Sequence, residues 1–302
     1  MTRRELLVSA AVLASCRRES APRPVIDVHV HANFSDPLLQ WQAETLSKVT
    51  FSAAGLNREM AEAGVEKGLE IGFATVEREL SQKAENPMYL EDLNGTKLVA
   101  VGGINPYRLD EEGLRRIEEA LRAGRLKGLK IYLGYYPKGP DDDGYKRVYE
   151  IAGRHKTTVI FHTGDTYSKN ARIRFAQPLP VDDVAVEFRQ VNFVLAHLGN
   201  PWTMDAAELM YKNPNVYADL SGFLVGDADY FTRKRDSRGF EHARERIRQA
   251  FAWTENPKKF LYGSDWPLAP MRHYIEFIAS AIPAEHHRAV FFDNARELFG
   301  LG

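Results

Sequence analysis

Val25-Ile26-Asp27-Val28-His29-Val30-His31 is an apolar run in which polar side chains occupy alternate positions. Successive side chains of a strand point to opposite faces, so Ile26, Val28 and Val30 are predicted on one face and Asp27, His29 and His31 on the other. Both imidazoles then point the same way. A strand covered on both faces normally reads as unbroken Val, Ile and Leu, and two rings and a carboxylate there cost desolvation energy unless something binds them. A metal ion meets that need. His-x-His alone is a short, common pattern, but three further runs lead from apolar residues to a group that can ligate a metal: Thr158-Val159-Ile160-Phe161-His162, Phe193-Val194-Leu195-Ala196-His197 and Phe260-Leu261-Tyr262-Gly263-Ser264-Asp265. Donors so far apart in the chain meet only where strands converge, as they do in a closed parallel barrel.

The remainder of the chain fits that barrel. Strand-like runs fall at 25–31, 64–72, 97–104, 126–133, 157–163, 192–197, 215–220 and 259–265, with helical patterns between them, among them 110–123, 205–211 and 241–251. Strand and helix in alternation signal a parallel sheet with covering helices. The predicted fold class is α/β, a single-domain (β/α)8 TIM barrel over residues 25–302, close to the usual size of about 250 residues. An open doubly wound sheet would need a Gly-rich binding turn that the sequence lacks. Active sites of TIM barrels sit at the C-terminal strand ends, which is where His31, His162, His197 and Asp265 fall. Asp265 also precedes Trp266-Pro267, where an Asp commonly caps a helix. Asp27 is placed to brace a histidine or the barrel floor. The segments 32–42, 164–180 and 221–240 read as loops roofing the site, with Tyr167, Arg172 and Arg174 as candidate substrate contacts, since a guanidinium grips a carboxylate with two hydrogen bonds.

The 302 residues are 44% hydrophobic and 27% charged, as in an ordinary globular protein. The formal net charge of -1 gives no reason to expect nucleic acid, which requires a basic face. Residues 1–15 combine a basic start containing Arg3-Arg4, a short apolar stretch and small residues, the anatomy of an export signal of twin-arginine or lipoprotein type. Leu13-Ala14-Ser15-Cys16 reads as a lipobox, with Cys16 the lipidated residue and 16–24 a tether. The expected location is an exported, periplasmic or membrane-anchored bacterial lipoprotein that touches the membrane only through its N-terminal anchor. Cys16 is the sole cysteine, so neither a disulfide framework nor a cysteine zinc site is available.

Asp27-Val28-His29-Val30-His31, His162-Thr163-Gly164, Ala196-His197-Leu198-Gly199-Asn200-Pro201-Trp202, Tyr262-Gly263-Ser264-Asp265-Trp266-Pro267 and the closing Asn294-Ala295-Arg296-Glu297-Leu298-Phe299 together resemble the amidohydrolase superfamily. Within it the likeness is to the amidohydrolase-2 group, which includes lactonases and aminocarboxymuconate-semialdehyde-type decarboxylases. The resemblance implies metal ligation by His29, His31, His162 and Asp265, with His197 a second ligand or a polarising acid/base, and Asp265 moving the proton of the attacking water. Imidazoles with a carboxylate suit zinc, while ligand type also admits manganese or iron. Lys130 alternates with outward-facing Leu129 and Ile131 and so points into the barrel. Two-metal relatives carboxylate a lysine on this strand; such a change would give His162 and His197 a second ion, whereas one ion is the expectation here.

The leading function is metal-dependent hydrolysis of an ester, lactone or amide in a small carbonyl substrate. Non-oxidative decarboxylation of an unsaturated or aromatic acid is the alternative, and it would need a cationic clamp. A non-catalytic metal-binding lipoprotein is a third, opposed by the complete ligand set. The sequence is silent on oligomeric state and compatible with a homo-oligomer.

Overall fold

Every one of the apolar runs forms a strand: β1 (Val25–Val30), β2 (Val65–Ile71), β3 (Leu98–Ile104), β4 (Leu126–Ile131), β5 (Thr158–Phe161), β6 (Phe193–Leu195), β7 (Val216–Asp219) and β8 (Phe260–Leu261). The structure is a computed structural model that describes residues 24–72 and 83–302. The export signal, Cys16 and tether residues 16–23 lie outside the described residues. Strands pair in chain order from β1 to β8, and each pairing is parallel. Three backbone bonds join the ends of the sheet: Val28 N to Tyr262 O at 3.0 Å, Asp265 N to His29 O at 2.9 Å and His31 N to Trp266 O at 2.7 Å. The expected (β/α)8 TIM barrel is thus the observed architecture.

Two apolar layers hold it. Ile26, Val28, Leu69, Ile71, Val101, Ile160, Val194 and Leu261 pack together inside the barrel. Val25, Val30, Leu129, Ile131, Phe161, Phe193 and Leu195 belong to the larger layer between strands and helices. Each such side chain contributes about 1.5–3 kcal/mol by leaving water. Membership of the layers corrects the alternation read from β1, because Val30 sits in the outer layer while Ile26 and Val28 sit in the inner one. The cause is a bulge: Asp27 pairs with Gly68 and Val30 with Glu70, so three steps on β1 span two on β2. One extra residue reverses the parity of everything beyond it. His29 and His31 both line the cavity, but Val28 keeps to the interior as well.

Caps fix the helix starts. Asp110 accepts from Gly113 N at 2.8 Å and opens the helix Glu111–Arg122, near the predicted bounds. Segments 32–42 and 221–240 are less loop-like than expected. Asp36, ahead of Pro37, accepts from Leu38 N at 2.8 Å and starts a helix over Pro37–Gln42. Asp227 likewise opens Ala228–Arg233, and Ser237 opens the long helix Arg238–Thr254. Asx and Ser caps before short helices are sequence signals in their own right. Asp265 is not such a cap, since the next helix, Met271–Ala279, starts after Pro270 without a side-chain cap. Among the described residues no helix is long and apolar enough to cross a membrane.

Glu70 on β2 is 2% exposed. Burial pushes its carboxyl up to about 8, against the lowering effect of the Leu90 N–H. The folded state therefore holds a proton that the unfolded chain releases near the ordinary value of 4.5, so stability is fully present below that value and declines as pH rises through the folded one. Glu70→Gln is expected to flatten the fall in melting temperature between about pH 5 and about pH 8. An unchanged fall in the variant would contradict the assignment.

Candidate metal centre

The closing seam carries the donors. His29 ends up opposite Gly263, whose missing side chain leaves room: a Cβ there would stand 2.9 Å from the His29 Cβ. Asp27 Oδ1 accepts from His29 N at 3.1 Å and Ser264 N at 2.9 Å, tying β1 to the turn that presents Asp265. Burial raises the Asp27 carboxyl to about 7. Asp265 itself sits at φ 58 and His197 at φ 62, both in the left-handed region that a non-glycine residue adopts at a cost. These turns also explain why β6 and β8 are shorter than their apolar runs: the chain leaves the sheet to aim a side chain.

His29 Nε2 lies 3.6 Å and His31 Nε2 3.3 Å from Asp265 Oδ1. The three residues form one group whose ligand atoms lie within 4.8 Å of each other. Ligands about 2.0–2.1 Å from a tetrahedral ion stand about 3.4 Å apart, so the spacing and the N/O donor set fit a zinc-sized divalent cation. Burial raises and the His31 hydrogen bond, with the neighbouring imidazoles, lowers the Asp265 carboxyl, which ends well below the usual carboxylate range. Burial, then the charge of Lys130, lowers His29 to about 4, which keeps it neutral and able to ligate.

His29, His197 and Asp219 form a second group whose ligand atoms lie within 4.8 Å of each other, but these residues are already tied together by hydrogen bonds. Asp219 Oδ2 accepts a hydrogen bond from His29 Nδ1 at 3.0 Å, and Oδ1 accepts from the backbone N–H groups of His197 and Ser221, each at 3.0 Å. Ser221 Oγ donates to Asp219 Oδ1 and accepts from His197 Nδ1 at 2.8 Å. These partners set the tautomers: His29 and His197 carry hydrogen on Nδ1 and present a bare Nε2. Burial would raise the Asp219 carboxyl, yet the adjacent His29 holds it well below its usual range. The sequence reading missed Asp219, Ser221 and Gly222, although Val216-Tyr217-Ala218-Asp219 ends a strand in a carboxylate as β8 leads to Asp265.

His162 is drawn into the ring cluster, 5.0 Å from His197 between centroids, but it belongs to neither three-residue group. Its Nε2 donates to Asp165 O at 2.9 Å and leaves Nδ1 bare. Burial, followed by the nearby His197, lowers it well below the ordinary imidazole value. Lys130 reaches the same cavity, as its alternation with Leu129 and Ile131 predicted, and burial brings its ammonium down to about 8. Tyr167 lines the mouth. Arg172 and Arg174 do not line the cavity; both are exposed, and the Arg174 guanidinium lies 4.7 Å over the Phe175 ring instead. None of His155, His242, His273, His286 and His287 borders it either.

Gly222 has φ +71, and a Cβ there would stand 2.6 Å from His197 Nδ1. Gly222→Ala is expected to displace the ring and destabilise the fold by about 1–3 kcal/mol. Gly239, in the helix Arg238–Thr254, has nothing within 4 Å of an added Cβ, so Gly239→Ala should leave stability unchanged or raise it slightly. Thermal unfolding of the two variants checks the contrast, and equal effects would contradict it.

No curated protein matches the chain in sequence. Among solved structures, an uncharacterized TIM-barrel protein of Bordetella bronchiseptica is similar with a TM-score of 0.67 at 17% identity, covering 91% of this chain and 98% of that one. The 5-carboxyvanillate decarboxylase of Sphingomonas paucimobilis has a TM-score of 0.61 at 17% identity, covering 92% and 99%. A protein of Acinetobacter baumannii described as a probable 2-pyrone-4,6-dicarboxylic acid hydrolase has a TM-score of 0.61 at 14% identity, covering 92% and 100%. At these identities the likeness shows the fold. The amidohydrolase family model (Amidohydro_2) matches residues 26–301, and with nearly the whole barrel inside that match, this chain belongs to the amidohydrolase family.

Proposed function

We propose that this protein is a metal-dependent hydrolase that cleaves an ester, lactone or amide bond in a small carbonyl substrate, with one divalent ion, zinc by preference. The observation that carries this reading is the convergence of His29 Nε2, His31 Nε2 and Asp265 Oδ1 on the cavity at the seam of the barrel. The family is typically metal-dependent, and its members with known structures include hydrolases and decarboxylases. His162, through its bare Nδ1, is the remaining donor in this reading.

His29, His31 and Asp265 would hold the divalent ion, which when bound would lower the pKa of a water molecule toward about 7 and polarise a carbonyl oxygen. Asp265, kept ionised, would accept the proton of the attacking water and return it to the leaving group. His197 presents a bare Nε2 in this reading, because its proton is on Nδ1 toward Ser221. Asp219 and Ser221 hold that orientation. The buried walls keep bulk water from competing, which strengthens each electrostatic contact.

Decarboxylation is the second reading, favoured by the cationic Lys130 beside the donors and by decarboxylases among the similar structures. Here the substrate carboxylate would be the group lost.

Metal analysis of purified protein is expected to find about one ion per chain, with chelation abolishing and zinc restoring hydrolysis of a panel of aryl esters and lactones. His31→Ala and Asp265→Asn should each cut kcat/KM by roughly a hundred- to a thousandfold. Two ions with a carboxylated Lys130 would overturn the single-ion account, and hydrolysis that survives chelation would overturn the metal reading altogether. Carbon dioxide release from aryl acids without ester cleavage would move the assignment to the decarboxylases.

A further inference from the structure

Lys130 has no role yet in the hydrolytic scheme above. Its side chain is 0% exposed, and its Nζ has no hydrogen-bond partner although it borders the cavity. The Tyr132 ring, 5.4 Å away at its centroid, supplies only a partial cation–π contact. Asp219 and Asp265 attract the ammonium through space, yet the first is engaged by His29, His197 and Ser221 and the second by His31. An ammonium buried in this state is costly until an anion reaches it. The open side of Lys130 is the cavity, so the anion that satisfies it comes with the substrate.

The rest of the cavity wall has a different character. Leu38, Tyr132, Tyr135, Val225 and Leu268 give it a largely apolar and aromatic surface. Its volume is about 160 Å³, and an apolar cavity of about 150 Å³ holds one benzene molecule. Lys130 is the only Lys or Arg among the described residues that line it, since Arg172 and Arg174 lie elsewhere. A second substrate carboxylate would meet no further Lys or Arg among the described residues.

We propose that the cavity selects a carbonyl substrate about one ring in size, with a single carboxylate seated on Lys130 Nζ and an uncharged, flat body held among Tyr132, Tyr135, Leu38, Val225 and Leu268. This rests on the reading of the cavity as a site of metal-dependent carbonyl chemistry. A single carboxylate satisfies the ammonium, while an apolar ring displaces water from the apolar part of the wall around Leu38, Val225 and Leu268.

The test is calorimetry on the zinc-loaded full-length protein with benzoate, benzamide, acetate and isophthalate as probes. Benzoate is expected to bind roughly tenfold more tightly than benzamide, through a charge-assisted bond, and roughly tenfold more tightly than acetate, through its ring. Isophthalate, with its second carboxylate, should bind no more tightly than benzoate. Lys130→Met should erase the preference for benzoate over benzamide and leave zinc content unchanged; Lys130→Gln serves if the first variant does not fold. The same comparison on chelated native protein, where no ion supplies the charge, reads the preference without any substitution. A benzoate preference that survives in the Lys130 variants, indifference between benzoate and benzamide in chelated protein, or isophthalate binding more tightly than benzoate would each overturn the proposal. Acetate binding as tightly as benzoate would overturn the ring-sized body. Zinc content of the same samples separates the two readings. Protein that takes up no zinc yet prefers benzoate sinks the metal assignment alone, and protein that holds zinc but ignores the charge sinks this one alone.

Discussion

Backbone hydrogen bonds from Val28 N to Tyr262 O, Asp265 N to His29 O and His31 N to Trp266 O join the first strand to the segment that follows the last. The barrel is shut by these bonds, and the same residues bear the donors of the candidate metal centre. Closing the sheet and assembling the site are therefore one event. An error of one residue in the register of this seam would turn His29 or Asp265 away from the cavity, because side chains alternate. Asp27 adds a second tie, since its carboxyl holds His29 N and Ser264 N together across the seam.

Electrostatic demand shapes what surrounds the seam. Four imidazoles, two ionised carboxylates and an ammonium border one buried region, and each must be satisfied or neutral. Burial keeps His29, His162 and His197 neutral. Asp219 remains ionised by accepting hydrogen bonds from His29, His197 and Ser221, and Asp265 by its contact with His31. The left-handed backbone at His197 and Asp265 is the strain accepted to aim these groups. Among the described residues Lys130 borders the cavity with its Nζ without a hydrogen-bond partner, which is why its charge is best understood together with the substrate.

Much of this was legible in the sequence, and the illegible parts have identifiable causes. The eight apolar runs and the polar groups at their ends specified the barrel and brought forward His29, His31, His197 and Asp265, because strand burial and strand-end chemistry leave local patterns. Lys130 was placed correctly because β4 alternates without interruption. On β1 the same rule fails for Ile26 and Val28, which lie inside the barrel because a bulge between Asp27 and Val30 inserts one residue; no local pattern announces it. Asp219 escaped notice because a lone carboxylate after Ala218 looks like any strand end, and its importance comes from Ser221, His29 and His197 meeting there in space. Arg172 and Arg174 were attractive for their charge, but loop sequence does not encode direction, and both face outward. The tautomer of His197 depends on Ser221, a partner that only the fold supplies.

The most direct test of the seam as a metal centre is crystallography of the zinc-loaded protein with anomalous scattering at the zinc edge. The account predicts a peak in the cavity within about 2.0–2.2 Å of His29 Nε2, His31 Nε2 and an Asp265 oxygen, with Asp219 still bonded to His29 Nδ1 and outside the coordination shell. A peak bound instead by Asp219 and His197, or no peak among these side chains, would contradict it.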